Sequence, residues 1–266
     1  MTERCLLADY HMHSAFSDDS QAPMEDMVRR ALELGLAEIC FTEHVDYGVK
    51  TVLNCDYPSY LAGAARMREK YGDRITVRAG IEFGVQAETI PQYQTDAQAF
   101  PFDFILLSNH QVGNKEFWNG EFQQGKTQAE FHTAYYQAIY NVMEGYQDYS
   151  VLAHLDMIKR YDPCGPYPDG PILPIVEQIL RRAIRDGKGI EVNTSSFRYG
   201  LHDLTPSTRI LELYHKLGGR ILTIGSDAHA PEHLADHIME VREVLKKIGF
   251  REFCTFDRRQ PIFHPL

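Results

Sequence analysis

Short runs rich in β-branched and aromatic residues alternate along this chain with longer stretches whose apolar positions recur at helical spacing. Seven runs read as strands, over 5–9, 38–42, 76–82, 104–108, 150–153, 189–193 and 220–225. Each is too short for a helix and is bounded by turn-forming residues. Between them the spacing predicts helices over roughly 24–35, 58–71, 127–144, 172–186, 206–217 and 232–248. The first is the clearest, with Met24, Met27, Val28, Ala31, Leu32 and Leu34 near helical spacing and Gly35 to end it. Such alternation is the mark of a parallel sheet, and seven strand candidates point to a barrel of seven repeats rather than eight. A run at 253–256 leaves two readings open, a closing strand or a tail.

Two stretches break the rhythm. Residues 109–126 and 160–171 are polar, rich in Gly and Pro, and long for connections. Each follows a predicted strand end that bears histidine. Because loops at the C-terminal ends of the strands build barrel active sites, both are candidate lids or substrate loops.

Composition narrows the partners. A length of 266 residues suits one large barrel, so residues 1–266 are read as one domain. No apolar run is long enough to cross a bilayer, and the N-terminus lacks the basic-then-apolar order of a signal peptide. The five cysteines are scattered and form no CxxC pair, which points away from a disulfide framework and to a reducing cytoplasm. A formal charge of −10 argues against nucleic acid as a partner. A small anionic substrate stays compatible with it, because metals and a few arginines invert the local potential. Fifteen tyrosines and fourteen phenylalanines serve a core, a pocket or an interface equally well, so the oligomeric state stays open.

The candidate chemistry sits at the strand ends. The segment Asp9-Tyr-His-Met-His puts His11 and His13 on one face of an extended strand, with Asp19 six residues further on. Later strands end in Thr42-Glu43-His44, in Glu82, in Ser108-Asn109-His110, in Ala153-His154 and in Ser226-Asp227-Ala228-His229. Six of the twelve histidines therefore fall on one predicted rim with acids interleaved. Taken singly, each is an ordinary polar residue or cap. Together they are the donor set of a multinuclear metal site. His233 and His237 share a face of the last predicted helix but read as its solvated side, and His132, His215 and His264 read as surface or packing residues.

In this order, HMHSAFSDDS, FTEH, GIEFG, SNH, AHLD and GSDAH closely resemble the PHP (polymerase and histidinol phosphatase) superfamily, over about residues 9–229. HLDMIKRYD and EVNTSSFR resemble most its monofunctional histidinol-phosphate phosphatases. The resemblance implies an α/β fold, a distorted (β/α)7 TIM-like barrel with the metal site at the C-terminal ends of the strands. It implies three divalent ions, Zn, Fe or Mn. The first would take His11, His13, Glu82 and Asp227. The second would share Glu82 as a bridging carboxylate with His110 and His154, and the third would take Asp19, His44 and His229. Asp18 is chemically equivalent to its neighbour, and Asp19 is chosen on the family's spacing. Asp9 and Glu43 are expected to orient imidazoles.

Hydrolysis of a phosphomonoester needs charge neutralisation and a strong nucleophile. A hydroxide bridging two divalent ions supplies the nucleophile for in-line attack. Arg160 and Arg198 follow strand ends, and their guanidinium forks suit a phosphate dianion. His202 is a candidate phosphate contact or general acid. The expected reaction is hydrolysis of L-histidinol phosphate to L-histidinol and phosphate, a step of histidine biosynthesis in the cytoplasm. Two alternatives stand beside it: a PHP phosphoesterase for another small phosphate ester, and a metal-stabilised module without catalysis. Glu116, Phe117 and Trp118 are candidates for contact with the substrate's imidazole and amine.

Overall fold

The computed structural model describes residues 6–266. Seven parallel strands form its central sheet: β1 (Ala8–Met12), β2 (Glu38–Phe41), β3 (Thr76–Gly84), β4 (Phe104–Ser108), β5 (Val151–Leu152), β6 (Gly189–Asn193) and β7 (Leu222–Gly225). They are hydrogen-bonded in sequence order, each to the next. The predicted start of the first strand, Cys5, lies outside the described residues. The observed strand runs three residues further than predicted, which brings His11 into its hydrogen-bonded span.

β1 and β7 close the sheet into a barrel just beyond their ends. Asp227 N–H donates to the His11 carbonyl at 2.8 Å, and His13 N–H donates to the Ala228 carbonyl at 2.8 Å. Helices fill the connections, α1 (Met24–Glu33), α2 (Tyr57–Tyr71), α3 (Ile90–Ala99), α4 (Gln128–Gly145), α5 (Leu173–Arg185), α6 (Thr208–Lys216) and α7 (Ile238–Ile248). The fold is thus a distorted, nearly closed (β/α)7 barrel. Both sheet faces are covered, so the strands read as continuous apolar runs rather than alternating ones.

Side-chain caps mark where some of the helices start. Asp56 accepts from Ser59 N–H at the start of α2, and Thr127 with Glu130 forms a reciprocal capping box at α4. In α1, Met24, Met27, Val28 and Ala31 are buried, and each large apolar side chain so placed stabilises the fold by about 1.5–3 kcal/mol. Two expectations need correction. α3 has no counterpart in the sequence reading, because IPQYQTDAQA turns only Tyr93, Asp96 and Ala97 inward and shows little apolar period. The last helix begins at Ile238 rather than near 232, after a 3-10 turn at Pro231–His233 and left-handed backbone at Ala235 and His237. His233 and His237 therefore share no helical face.

The run at 253–256 is a strand, but one of a separate hairpin rather than a closing strand of the barrel. β8 (Glu252–Asp257) pairs antiparallel with β9 (Gln260–Pro265). This hairpin covers the N-terminal end of the barrel, where Phe256 N–H donates to the Tyr10 hydroxyl at 2.8 Å and Arg78 pairs with Asp257 at 3.0 Å. The described cysteines, Cys40, Cys55, Cys164 and Cys254, are all free thiols. Among the described residues, no helix is long and apolar enough to cross a membrane.

Gly225, at the end of β7, marks how tightly β1, β6 and β7 approach. A Cβ there would sit 2.3 Å from His11 Cβ and 2.6 Å from Glu191 Oε1. Gly225→Ala is expected to lower stability by about 1–3 kcal/mol through overpacking. Urea unfolding measures it, and an unchanged midpoint would mean that the strands do not approach this closely.

Candidate metal centre

The site grows from the overhang of β3. This strand has nine residues, more than any other in the barrel. Its surplus turns lift Glu82 beside the short strand His44–Val45, which pairs with it in the register His44 to Glu82. Glu82 is fully buried. A buried carboxylate is costly unless surrounded by donors or cations, and here five imidazoles converge on it. Oε2 faces His11 Nε2 at 3.1 Å, His44 Nδ1 at 3.1 Å and His13 Nε2 at 3.4 Å. Oε1 faces His154 Nε2 at 2.8 Å, His110 Nε2 at 3.1 Å and the Ser108 hydroxyl at 2.6 Å. The two oxygens thus address two separate histidine sets, as a bridging carboxylate would.

Asp227 and Asp19 extend the cluster outward. Asp227 Oδ1 lies 3.6 Å from His11 Nε2, 3.7 Å from His13 Nε2 and 3.7 Å from His229 Nδ1. Asp19 Oδ2 lies 3.3 Å from His229 Nε2 and 3.4 Å from His44 Nε2. Its neighbour Asp18 turns away to Lys50 Nζ at 3.0 Å. His154 and Asp227 both have positive φ, 21° and 55°, a strained backbone for non-glycine residues that persists only where its surroundings fix it. Here His154 N–H is held by Glu191 Oε2 at 2.8 Å, and Asp227 N–H by the His11 carbonyl.

Three observations fit this set to divalent metal. Four groups of three donors each bring their ligand atoms within 4.8 Å of one another: His13, His44 and His229; His11, His13 and Asp227; His11, Glu82 and His154; and His44, Asp46 and His110. His13 Nε2 and His44 Nδ1 are buried with no hydrogen-bond partner, and such lone pairs are what a cation would satisfy. The titration pattern is that of a charged cluster. Burial pushes Glu82 up, but His11, His44 and His110 outweigh it and hold it well below the usual carboxylate range. Burial, then His229 and His44, push His13 well below the ordinary imidazole value, whereas the neighbouring acids outweigh burial and hold His11, His44 and His110 above it.

The outer ring of partners explains the aim of the imidazoles. Glu191 Oε1 takes His11 Nδ1 at 2.6 Å, and Asp46 Oδ1 takes His110 Nδ1 at 2.9 Å. Glu43 holds the Ser17 hydroxyl at 2.6 Å, which in turn meets His13 Nδ1 at 3.1 Å. Asp9 departs from expectation, because it binds no imidazole. It accepts from Ser226 N–H at 2.9 Å, from the Ser226 hydroxyl and from Ala235 N–H at 2.9 Å, and so fixes the turn before Asp227. The sequence reading did not single out Glu191 or Asp46. Both left a trace: Glu191 is a charge within an apolar strand, and Asp46 stands two residues after His44.

A pocket of about 400 Å³ opens over the cluster, lined by Asp19, His44, His110, His154, Asp227 and His229 on its floor. Lys50, Trp118, Arg160, Tyr161 and Tyr199 form its walls. The Arg160 side chain is buried, with Nη1 3.2 Å from Asp227 Oδ2, Nη2 3.2 Å from Asn193 Oδ1 and its guanidinium 4.5 Å from the Tyr199 ring. Arg198 does not line the pocket. Its Nη2 holds the carbonyls of Ser226 and Asp227 at 3.0 and 2.8 Å, while Nη1 is buried without a hydrogen-bond partner.

His202 is exposed and lines a neighbouring groove with Lys159, Tyr167 and Ser207. It is not brought to the cluster, so its expected phosphate contact has no geometric support. Among the loop candidates, Trp118 reaches the pocket and Glu116 is half-buried outside its lining, whereas Phe117 is core, packed on Phe122 and Tyr135.

The PHP domain family model matches residues 9–195. The chain belongs to the PHP domain family. Asp227 and His229 lie beyond the PHP match, yet barrel closure places them against His11 and His13. The PHP relatives include the histidinol-phosphatase of Lactococcus lactis subsp. lactis, 34% identical over 257 residues that cover 93% of each chain. A probable histidinol-phosphatase of Thermotoga maritima is 30% identical over 258 residues, 96% of this chain and 97% of its own. Among solved structures, the histidinol phosphate phosphatase of Lactococcus lactis, in complex with zinc, L-histidinol and phosphate, aligns with a TM-score of 0.89 at 31% identity. That alignment covers 96% of this chain and 98% of the other.

The two adjacent aspartates separate by their metal content. Asp19→Asn is expected to release part of the bound metal while Asp18→Asn keeps all of it, as measured by elemental analysis of the purified proteins. Equal retention in both would remove Asp19 from the donor set.

Proposed function

We propose that the protein is a metal-dependent phosphomonoesterase that hydrolyses L-histidinol phosphate to L-histidinol and phosphate, a step of histidine biosynthesis. One observation carries this reading. A PHP relative of the same length and fold binds zinc, L-histidinol and phosphate together, and this chain carries a buried histidine–carboxylate cluster under a pocket of matching chemistry. Residues 1–266 act as one catalytic domain in this reading, and the free thiols are in keeping with a cytoplasmic location.

In this reading three ions would be held, one by His11, His13, Glu82 and Asp227, one by Glu82, His110 and His154, and one by Asp19, His44 and His229. Imidazole and carboxylate donors accept Zn, Fe or Mn. When bound, the ions supply charge neutralisation at the phosphate and an acidified water for in-line attack. The chain's own residues do the rest. Glu82 spans both histidine sets and fixes their separation. Asp46 and Glu191 keep the Nε2 lone pairs of His110 and His11 aimed at the centre. Arg160 presents its guanidinium from the pocket wall for the phosphate oxygens, and its pairing with Asp227 ties phosphate and metal ligand into one arrangement. Arg198, which stays outside the pocket, holds the carbonyls of Ser226 and Asp227 and so steadies the turn that carries Asp227. Trp118, Tyr161 and Tyr199 give the leaving alcohol an aromatic wall.

Phosphate release from L-histidinol phosphate, compared with other phosphomonoesters and a phosphodiester, tests the assignment. A strong preference for L-histidinol phosphate is expected, abolished by chelation and restored by divalent metal. Preference for another member of the panel would keep the phosphatase and overturn its substrate. Arg160→Ala is expected to retain the metals while lowering kcat/KM by about 10–100-fold, a loss of about 1.4–2.8 kcal/mol in transition-state binding. Unchanged efficiency would remove Arg160 from phosphate recognition.

A further inference from the structure

The connection between β5 and α5 carries Arg160 and Tyr161 into the pocket, yet it contains only a 3-10 turn, Met157–Tyr161, and no strand. The barrel sheet does not hold it, so other contacts must. On one side Lys159 Nζ bridges Asp156 and Asp169, each at 2.8 Å, and Asp169 accepts the Ser207 hydroxyl at 2.7 Å. On the other side the hold comes from α4. His132 is fully buried there, with Nε2 2.7 Å from Asp162 Oδ2. Its ring stacks on Tyr167, with centroids 4.2 Å apart and planes 16° from parallel. One helical turn earlier, Gln128 Nε2 donates to the same Asp162 oxygen and to the Gly165 carbonyl, both at 2.9 Å. A third link crosses to the other long loop, because Gln123 Nε2 donates to the carbonyls of Phe117 at 2.9 Å and Tyr161 at 2.8 Å.

Histidine is an expensive choice at this position. Burial holds its ring below the ordinary imidazole value despite Asp162, and with Nε2–H donating, Nδ1 is left buried without a partner. An unsatisfied buried acceptor costs about 1–3 kcal/mol. An apolar ring would fill the same space without that cost. What histidine adds is a directed bond to Asp162, two residues from Arg160.

We propose that His132 is a positioning residue for Arg160: through Asp162 and Tyr167 it latches the 156–171 loop to α4 and so sets where the guanidinium stands over the metal cluster. The inference rests on the reading of Arg160 as a phosphate ligand. A guanidinium fork is productive only within a narrow range of placement, and a surface loop does not hold that range unaided.

The test uses two substitutions in the full-length metal-replete protein. His132→Phe keeps the stack and removes the bond, and Gln128→Ala removes two loop bonds from a half-buried position. Each is expected to raise KM for L-histidinol phosphate by about fivefold or more, with kcat changed by less than about threefold and metal content unchanged. In an Arg160→Ala background the same substitutions are expected to change kcat/KM by less than about twofold, because their effect passes through the missing side chain. Equal losses in both backgrounds would overturn the positioning role. Hydrogen exchange over 161–167 reads the latch without any substrate. Faster exchange in both variants is expected, and unchanged protection would overturn it. If the unaltered protein fails to hydrolyse L-histidinol phosphate, the proposed substrate falls; binding of inorganic phosphate, weakened by His132→Phe only while Arg160 is present, then decides the link.

Discussion

A single buried carboxylate with five imidazoles around it sets the terms for this protein. Glu82 has two oxygens and cannot accept a good hydrogen bond from every nitrogen that faces it, so ring nitrogens remain without partners in the interior. Burial of so many polar groups is tolerable only with cationic compensation and a rigid surround. The barrel supplies that surround. The long β3 carries Glu82 past its neighbours, the short His44–Val45 strand fixes the register against it, and Gly84 leaves room for the Asp46–His110 pair, since a Cβ there would lie 1.8 Å from Asp46 Oδ1.

Barrel closure and site assembly are the same event. The His11 carbonyl accepts the Asp227 N–H that joins the two end strands, while the His11 and Asp227 side chains meet over the cluster. Asp9, one turn of strand away from the donors, spends its hydrogen bonds on the backbone of Ser226 and Ala235. It acts on the donor cluster through the chain path rather than through an imidazole. At the opposite end, the β8–β9 hairpin covers the barrel base and keeps Tyr10 and Glu38 away from water. Stability is thus gathered at one end and chemistry at the other, as barrel architecture favours.

Much of this was legible in the residues. Seven apolar runs announced seven strands, and histidines repeated at their ends announced the rim. What escaped did so for physical reasons. α3 packs through only three inward residues, too few to leave a period. Glu191 and Asp46 are single acids whose purpose appears only when distant strands meet. Asp18 and Asp19 are alike until Lys50, from another loop, captures the first. Phe117 resembles its neighbour Trp118 in type, but packing on Phe122 and Tyr135 takes it into the core. His202 falls near Arg198 along the chain and opens onto a different groove in space.

The Gln123 amide, with one NH2 group shared between the carbonyls of Phe117 and Tyr161, ties the two sides of the pocket mouth together. Trp118 and Tyr161, the rings that follow or belong to those carbonyls, stand edge to face with centroids 6.4 Å apart. An insertion or deletion in either loop would pull one carbonyl out of reach and leave the amide half-bonded. The two segments are therefore expected to diverge together, so that a change in what the pocket admits arrives as a matched pair of loop alterations rather than as one.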